Sequence, residues 1–245
     1  MDSGYYAAMT GLIARTQALD TASSNLANAQ TAGYRAEREY FRSALVGPDS
    51  ENSQLGHAIN RYGLLGGNRL SMAQGPIQQT GNPFDLAIEG HGFFAIRTSN
   101  GIRYTRDGSF HRSQTGGLVT AANEAVLSSA GLPISLPEGE IAVGASGVIS
   151  VIGGAVATLA VFDFPDSTQL TAEGANRYAV SDGFKGTQSS DATIRQGTLE
   201  GANQDVVQGT LDLITMQRQA EMMQKALTIF HAEFNKTATE DLPRV

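Results

Sequence analysis

A seven-residue repeat marks both ends of this 245-residue chain. At the start, Tyr5, Met9, Leu12, Thr16, Leu19, Ser23 and Leu26 follow one another at alternating spacings of four and three. At the end, Val206, Gly209, Leu213, Met216, Ala220, Met223, Leu227, Phe230 and Phe234 are spaced in the same rhythm. Such spacing returns side chains to one face of an α-helix, so it predicts a helix at each end with a mostly apolar seam. Ala7, Ala8, Gly11, Ala14, Ala18, Ala22 and Ala27 flank the first seam, and residues that small let a second helix approach closely. Gly33 offers the positive φ that closes a helical segment. Asn203 reads as the N-cap of the second helix, with Asp205 near the positive end of its dipole.

The middle of the chain follows a different rule. From Gly75 to about Gly197, turn residues recur every few positions, and short β-branched or aromatic runs lie between them. These runs include Phe84–Ile88, Phe93–Arg97, Ile102–Thr105, Ile141–Val143, Val148–Val151 and Ala157–Phe164. Asn100-Gly101 reads as a type I′ hairpin turn, which needs positive φ at both central residues. The expectation is an antiparallel all-β domain. The predicted class is therefore α+β: a central antiparallel β domain (75–200) between an N-terminal helix (1–35) and a C-terminal helix (201–245) that pair as a coiled-coil-like helical domain. Residues 36–74 are an extended connector, rich in Ser, Asn and Gly at Gly47–Ser53 and Gly66–Asn68. It reads either as a solvated loop or as a segment that orders against a neighbouring molecule.

Composition removes most enzymatic and nucleic-acid readings. A hydrophobic fraction of 41% with 17% charged residues predicts a folded chain. A formal charge of −7 argues against nucleic acid, which demands a basic face, and against a polybasic lipid-binding surface. With no Cys, thiol nucleophiles and Cys-ligated metals are excluded. His57, His91, His111 and His231 lack metal-ligand spacing, so no metal site is expected. Gly90-His91-Gly92-Phe93-Phe94-Ala95 fits the dinucleotide fingerprint formally, but it leads into a strand rather than a helix and reads as a turn. No nucleophile, base and oxyanion site assembles, so no catalytic residue and no cofactor are expected. The Met1-Asp2-Ser3-Gly4 start lacks the basic and apolar regions of a cleavable signal, and no run approaches the roughly 18 apolar residues of a membrane span.

The two seams have no evident mate in the β region. They can pair with each other if the β domain loops out between them. Seven or so apolar side chains on each helix, at roughly 1.5–3 kcal/mol apiece when buried, favour further partners. Head-to-tail contacts that do not close would build a helical tube of many copies. The competing reading, that each stripe simply covers the β domain, is less consistent with the heptad period.

Ser24-Asn25-Leu26-Ala27-Asn28-Ala29-Gln30-Thr31-Ala32-Gly33-Tyr34-Arg35 closely resembles the N-terminal signature of the rod–hook family of the bacterial flagellum, departing from it at Ser24, where Asn is usual. Gly81–Phe94, Arg103–Phe110 and Gln196–Glu200 running on to Asn203 are similar to further stretches of that family. Ala202 and Gln204 replace its commoner Ser and Val, while Arg218 and Glu221 match the Arg-x-x-Glu of its last helix. Ile141–Ser150 and Ala157–Phe164 look most like the proximal-rod subunits, with the distal-rod subunits close by. The resemblance implies a structural rod subunit that stacks on itself and on other rod proteins. It implies passage through the flagellar type III export apparatus without a cleaved signal, and terminal helices forming an inner tube. The expected subunit-interface residues are Tyr5, Met9, Leu12, Leu19, Asn25, Leu26, Asn28, Gly33, Tyr34, Leu213, Met216, Met223, Leu227, Phe230 and Phe234. Asn25 and Asn28 are expected to bond backbone groups, and Tyr34 to anchor the connector. A secreted ligand-binding β domain on a helical stalk is the alternative of another class.

Overall fold

The computed structural model describes residues 2–42, 64–164, 170–181, 184, 186–189 and 192–236, without the side chains of 2–8, 41–42, 64–66, 230–231 and 233–236. The chain is α+β and divides into two compact units, one of residues 1–27, 37–69 and 206–245, the other of 28–36 and 70–205.

The first unit holds both predicted helices, α1 (Asp2–Ala27) and α2 (Val206–Lys236). It also holds a two-stranded ribbon of β1 (Glu37–Arg42) and β2 (Leu64–Leu70), the latter ending at the unit boundary. The two helices pack against each other, and Gly11 of α1 lies where a Cβ would touch the Met223 side chain. Small residues carry the contact on α1: Ala14, Ala18, Ala22 and Asn25 are buried, while Leu12, Leu19 and Leu26 are half-buried beside them and Met9 is exposed. On α2, Gly209 and Ala220 are buried, with Leu213, Met216, Met223 and Leu227 half-buried on the same face. Helix α2 begins at Val206, which leaves Asp205 at the N-cap position; the Asn203 side chain, expected there, bonds elsewhere. The stretch 47–53 lies outside the described residues.

The second unit is built from antiparallel strands. Its largest sheet contains β5 (Phe93–Thr98), β6 (Gly101–Thr105), β7 (Phe110–Arg112), β8 (Leu118–Thr120), β9 (Ala125–Val126), β14 (Leu170–Ala172) and β15 (Tyr178–Val180). Their order is β14-β15-β6-β5-β9-β8-β7, and β13 (Val161–Asp163) pairs with both β5 and β16 (Thr187–Gln188). A separate meander joins β10 (Ile141–Val143), β11 (Val148–Val151) and β12 (Gly154–Thr158). Two further pairs link β4 (Leu86–Glu89) with β17 (Thr193–Gln196), and β3 (Ile77–Gln79) with β18 (Thr198–Glu200).

Alternation along β5 explains how the core forms. Successive strand residues point to opposite faces. Phe94 and Ile96 enter one cluster with Leu86, Phe110 and Val126, while Phe93 enters a second with Phe164, Leu170 and Tyr178. Phe94 meets Phe110 edge to face at 5.2 Å, and Phe93 meets Tyr178 likewise at 5.6 Å. The β5–β6 hairpin forms as predicted, but Thr98 pairs with Gly101, so its central residues are Ser99 and Asn100 rather than Asn100 and Gly101. Turns with two positive φ fall instead between β11 and β12, at Ile152 (φ 50) and Gly153 (φ 78), and between β14 and β15, at Ala175 (φ 49) and Asn176 (φ 55).

Candidate functional site

The signature segment begins as α1 ends. Asn25, in the last turn, binds the backbone of Glu37 in both directions: its amide donates to the Glu37 carbonyl at 2.8 Å, and its side-chain carbonyl accepts from the Glu37 N–H at 2.9 Å. A side-chain amide used this way imitates a strand partner and fixes the start of β1. This bonding lies within the helical unit.

Asn28 through Ala36 belong to the β-rich unit, and there the segment is fastened to the stretch that precedes α2. The Thr31 hydroxyl bonds the Asn28 side chain at 3.3 Å. Gly33 is buried at φ 67, and its N–H donates to the Glu200 carbonyl at 2.7 Å. A Cβ at this position would overlap the backbone of Arg106 and Asp107, so glycine is needed for space as well as for conformation. Tyr34 is half-buried, and its carbonyl accepts from the Asn203 N–H at 3.2 Å. The Asn203 side chain accepts from the Ala36 N–H at 2.7 Å and donates to the Ser71 and Ala73 carbonyls, each at 2.9 Å. A single amide thus ties three separated stretches together.

An ion triad sits at the centre of this knot. The Glu200 carboxylate meets Arg35 at 3.0 Å and Arg106 at 2.9 Å, with all three side chains about 98% buried (relative exposures 2%, 2% and 1%). Glu200 also accepts from the Gly75 N–H at 2.8 Å. Arg35 donates to the Ala73 carbonyl, and Arg106 to the carbonyls of Ile88 and Gly90. The Arg106 guanidinium also stands 5.4 Å from the centre of the Phe93 ring. Two cations share one carboxylate, and backbone carbonyls take up further donors, while the Nε atoms of Arg35 and Arg106 are buried without a hydrogen-bond partner. Burial pulls Arg106 down to about 10, with Glu200 opposing the drop and Arg35 adding to it. Burial lowers Arg35 too, against the pull of Glu200 and Tyr178.

The expected interface residues thus fall into two groups. Met9, Leu12, Leu19, Asn25, Leu26, Leu213, Met216, Met223 and Leu227 lie in the helical unit, and Asn28, Gly33 and Tyr34 lie in the knot. The side chains of Tyr5, Phe230 and Phe234 lie outside the described residues. Arg35, Arg106, Glu200 and the side-chain role of Asn203 were not expected. Their signal was present, since each stands in a family-like stretch, yet a charge beside a turn ordinarily reads as solvated. Among the described residues, no group of His, Asp and Glu could hold a metal ion, and no helix is long and apolar enough to cross a membrane.

Residues 6–35 match the flagella basal body rod protein family, and residues 87–151 match the flagellar hook protein FlgE/F/G D1 domain. The flagellar basal-body rod protein FlgF of Caulobacter vibrioides is 31% identical over the whole of both chains. This chain belongs to the flagellar basal-body rod protein family. The FlgF of Escherichia coli is 30% identical over 93% of this chain and 94% of its own. The rod protein FlgG of Bacillus subtilis is 27% identical over 91% of this chain and 93% of its own. In this rod-family member, the knot joins the end of one matched segment, at Arg35, to Arg106 inside the other.

Proposed function

We propose that this chain is a structural subunit of the flagellar basal-body rod, a non-enzymatic component that polymerises through its terminal helices into the hollow drive shaft. The observation that carries the reading is full-length similarity to a rod protein, both terminal helices included. Relatives named FlgF favour the proximal rod. The subunit works among copies of itself and other rod proteins, and it reaches them through the flagellar type III export apparatus.

The helices are proposed to pair as an antiparallel coiled-coil-like domain. Gly11 faces Met223; burial on α1 then runs forward to Asn25, while on α2 it runs back to Gly209, as two opposed helices require. Of the terminal stretches 1–35 and 201–245, residues 1–27 and 206–245 supply this assembly domain; 36–74 is the connector, carrying β1 and β2, and 75–200 the β domain. Leu19 and Leu227 border the pairing face and are half-buried in the free chain, so they retain apolar surface for neighbours.

The test is genetic and structural together. Leu19→Asp or Leu227→Asp is expected to leave the β domain folded by near-ultraviolet circular dichroism and to abolish both recovery in purified basal bodies and swimming. Normal rods containing either variant would refute the proposal.

A further inference from the structure

Helix α2 is apolar on two opposite sides. At roughly 100° per residue, Val207, Leu211, Ile214, Met222 and Ile229 gather on the side away from the buried Gly209 and Ala220. All five are exposed, Val207 at 69%, Met222 at 61% and Ile229 at 59%. Arg218 and Lys225 lie within the same stripe, also exposed, and Glu221 only flanks it. A stripe of large exposed apolar side chains along a helix of this length is what an interaction surface looks like. Helix α1 offers a matching surface: Met9 and Ile13 are exposed at 42% and 49%, and Asp20 shares their side of the helix.

The stripes are complementary in charge, basic on α2 and acidic on α1. We propose that the outward stripe of α2 docks on the outward stripe of α1 in a second copy of this chain, with Asp20 seated between Arg218 and Lys225. In an antiparallel register, that placement brings Ile13 level with Ile229 and Ala27 level with Ile214. Each copy then offers one stripe of each kind, so the contact is head-to-tail, the kind that builds an open helix wherever the rotation between copies does not close a ring. This deepens the rod reading and rests on it, since it specifies which faces of the assembly domain meet.

The test uses purified full-length chain. Asp20→Lys alone and the pair Arg218→Glu with Lys225→Glu are each expected to weaken self-association by about tenfold or more in sedimentation, because like charges then face each other. Far-UV circular dichroism and thermal unfolding should stay as in the unaltered chain. An equimolar mixture of the two variants should associate like the unaltered protein, since each contact then regains opposite charges. A mixture no better than its parts overturns the proposal. So does Asp20→Lys that associates normally, which would mean that α2 stripes pair with one another. An unaltered chain that stays monomeric at every concentration yet is recovered in basal bodies overturns the self-contact and leaves the rod reading standing. Absence from basal bodies would instead remove that reading.

Discussion

The β-rich unit and the helical unit dispose of their apolar residues in opposite ways. In the first, Phe93, Phe94, Ile96 and Val126 are essentially inaccessible, and β5 is buried on both faces. In the second, alanines are the most deeply buried residues, and the large aliphatics Ile13, Leu211, Ile214, Met222 and Ile229 face outward. The β-rich unit has its core within itself. The helical unit buries what one helix can cover of another and leaves the rest exposed. Similar hydrophobicity therefore serves two ends: in one place it closes a fold, and in the other it leaves a surface for a neighbour.

The contrast can be broken most forcefully in the core. Phe94→Ala removes an aromatic ring that packs against Phe110, and it should cost about 3–5 kcal/mol in chemical denaturation followed by near-ultraviolet signal. A loss near zero would mean that the β-rich unit is not closed on itself. Glu200→Ala leaves Arg35 and Arg106 buried without their carboxylate, and a loss of about 3–5 kcal/mol is expected from the same measurement. If the variant unfolds like the parent, the triad is not holding the unit together. Gly33→Ala should cost about 1–3 kcal/mol, because the new methyl group overlaps backbone and the residue must still adopt a positive φ. Ile214→Ser, on the exposed stripe, should shift the unfolding of the isolated chain by no more than about 0.5 kcal/mol. A larger shift would show that this side of α2 is covered within the chain.

The smallest effect concerns pH. Burial raises Glu39 above the usual carboxylate range, against a bond from Thr21 and the charge of Arg15. The folded state then holds the proton more tightly than the unfolded state does. Stability therefore falls as pH rises from the ordinary value through the raised one. Glu39→Gln should flatten that part of the pH profile of helical signal, and an unchanged profile would remove Glu39 as its source.

Much of this architecture could be read from residue order alone, because it rests on periodicity. The heptad spacing gave both helices, and the regular turn residues gave an antiparallel β region. What stayed hidden depended on distance along the chain or on size. Small size marks Gly11, Ala14 and Ala18 for close approach in the sequence, but it does not reveal that Ala14 and Ala18, rather than Met9 and the leucines, are buried residues of α1. Strand β2 contains Gly66-Gly67-Asn68, which locally reads as a break. The β5–β6 hairpin was legible and its centre was not, since strand register decides which residues turn. No propensity would place a β-branched residue at positive φ, yet Ile152 occupies that position. Arg35, Arg106 and Glu200 meet only after the chain has folded over far more than a turn or hairpin, so local pattern could not pair them.

The knot has a mechanical consequence. Residues 33–36 and 200–203 are joined by the Gly33–Glu200 and Tyr34–Asn203 backbone bonds, the Ala36–Asn203 bond and the Arg35–Glu200 ion pair. Both terminal segments therefore run through one bonded patch where they enter and leave the β-rich unit. A force drawing the two segments past each other would load these links side by side, in shear, rather than peel them off in turn. Rupture would then require several to yield in a single event.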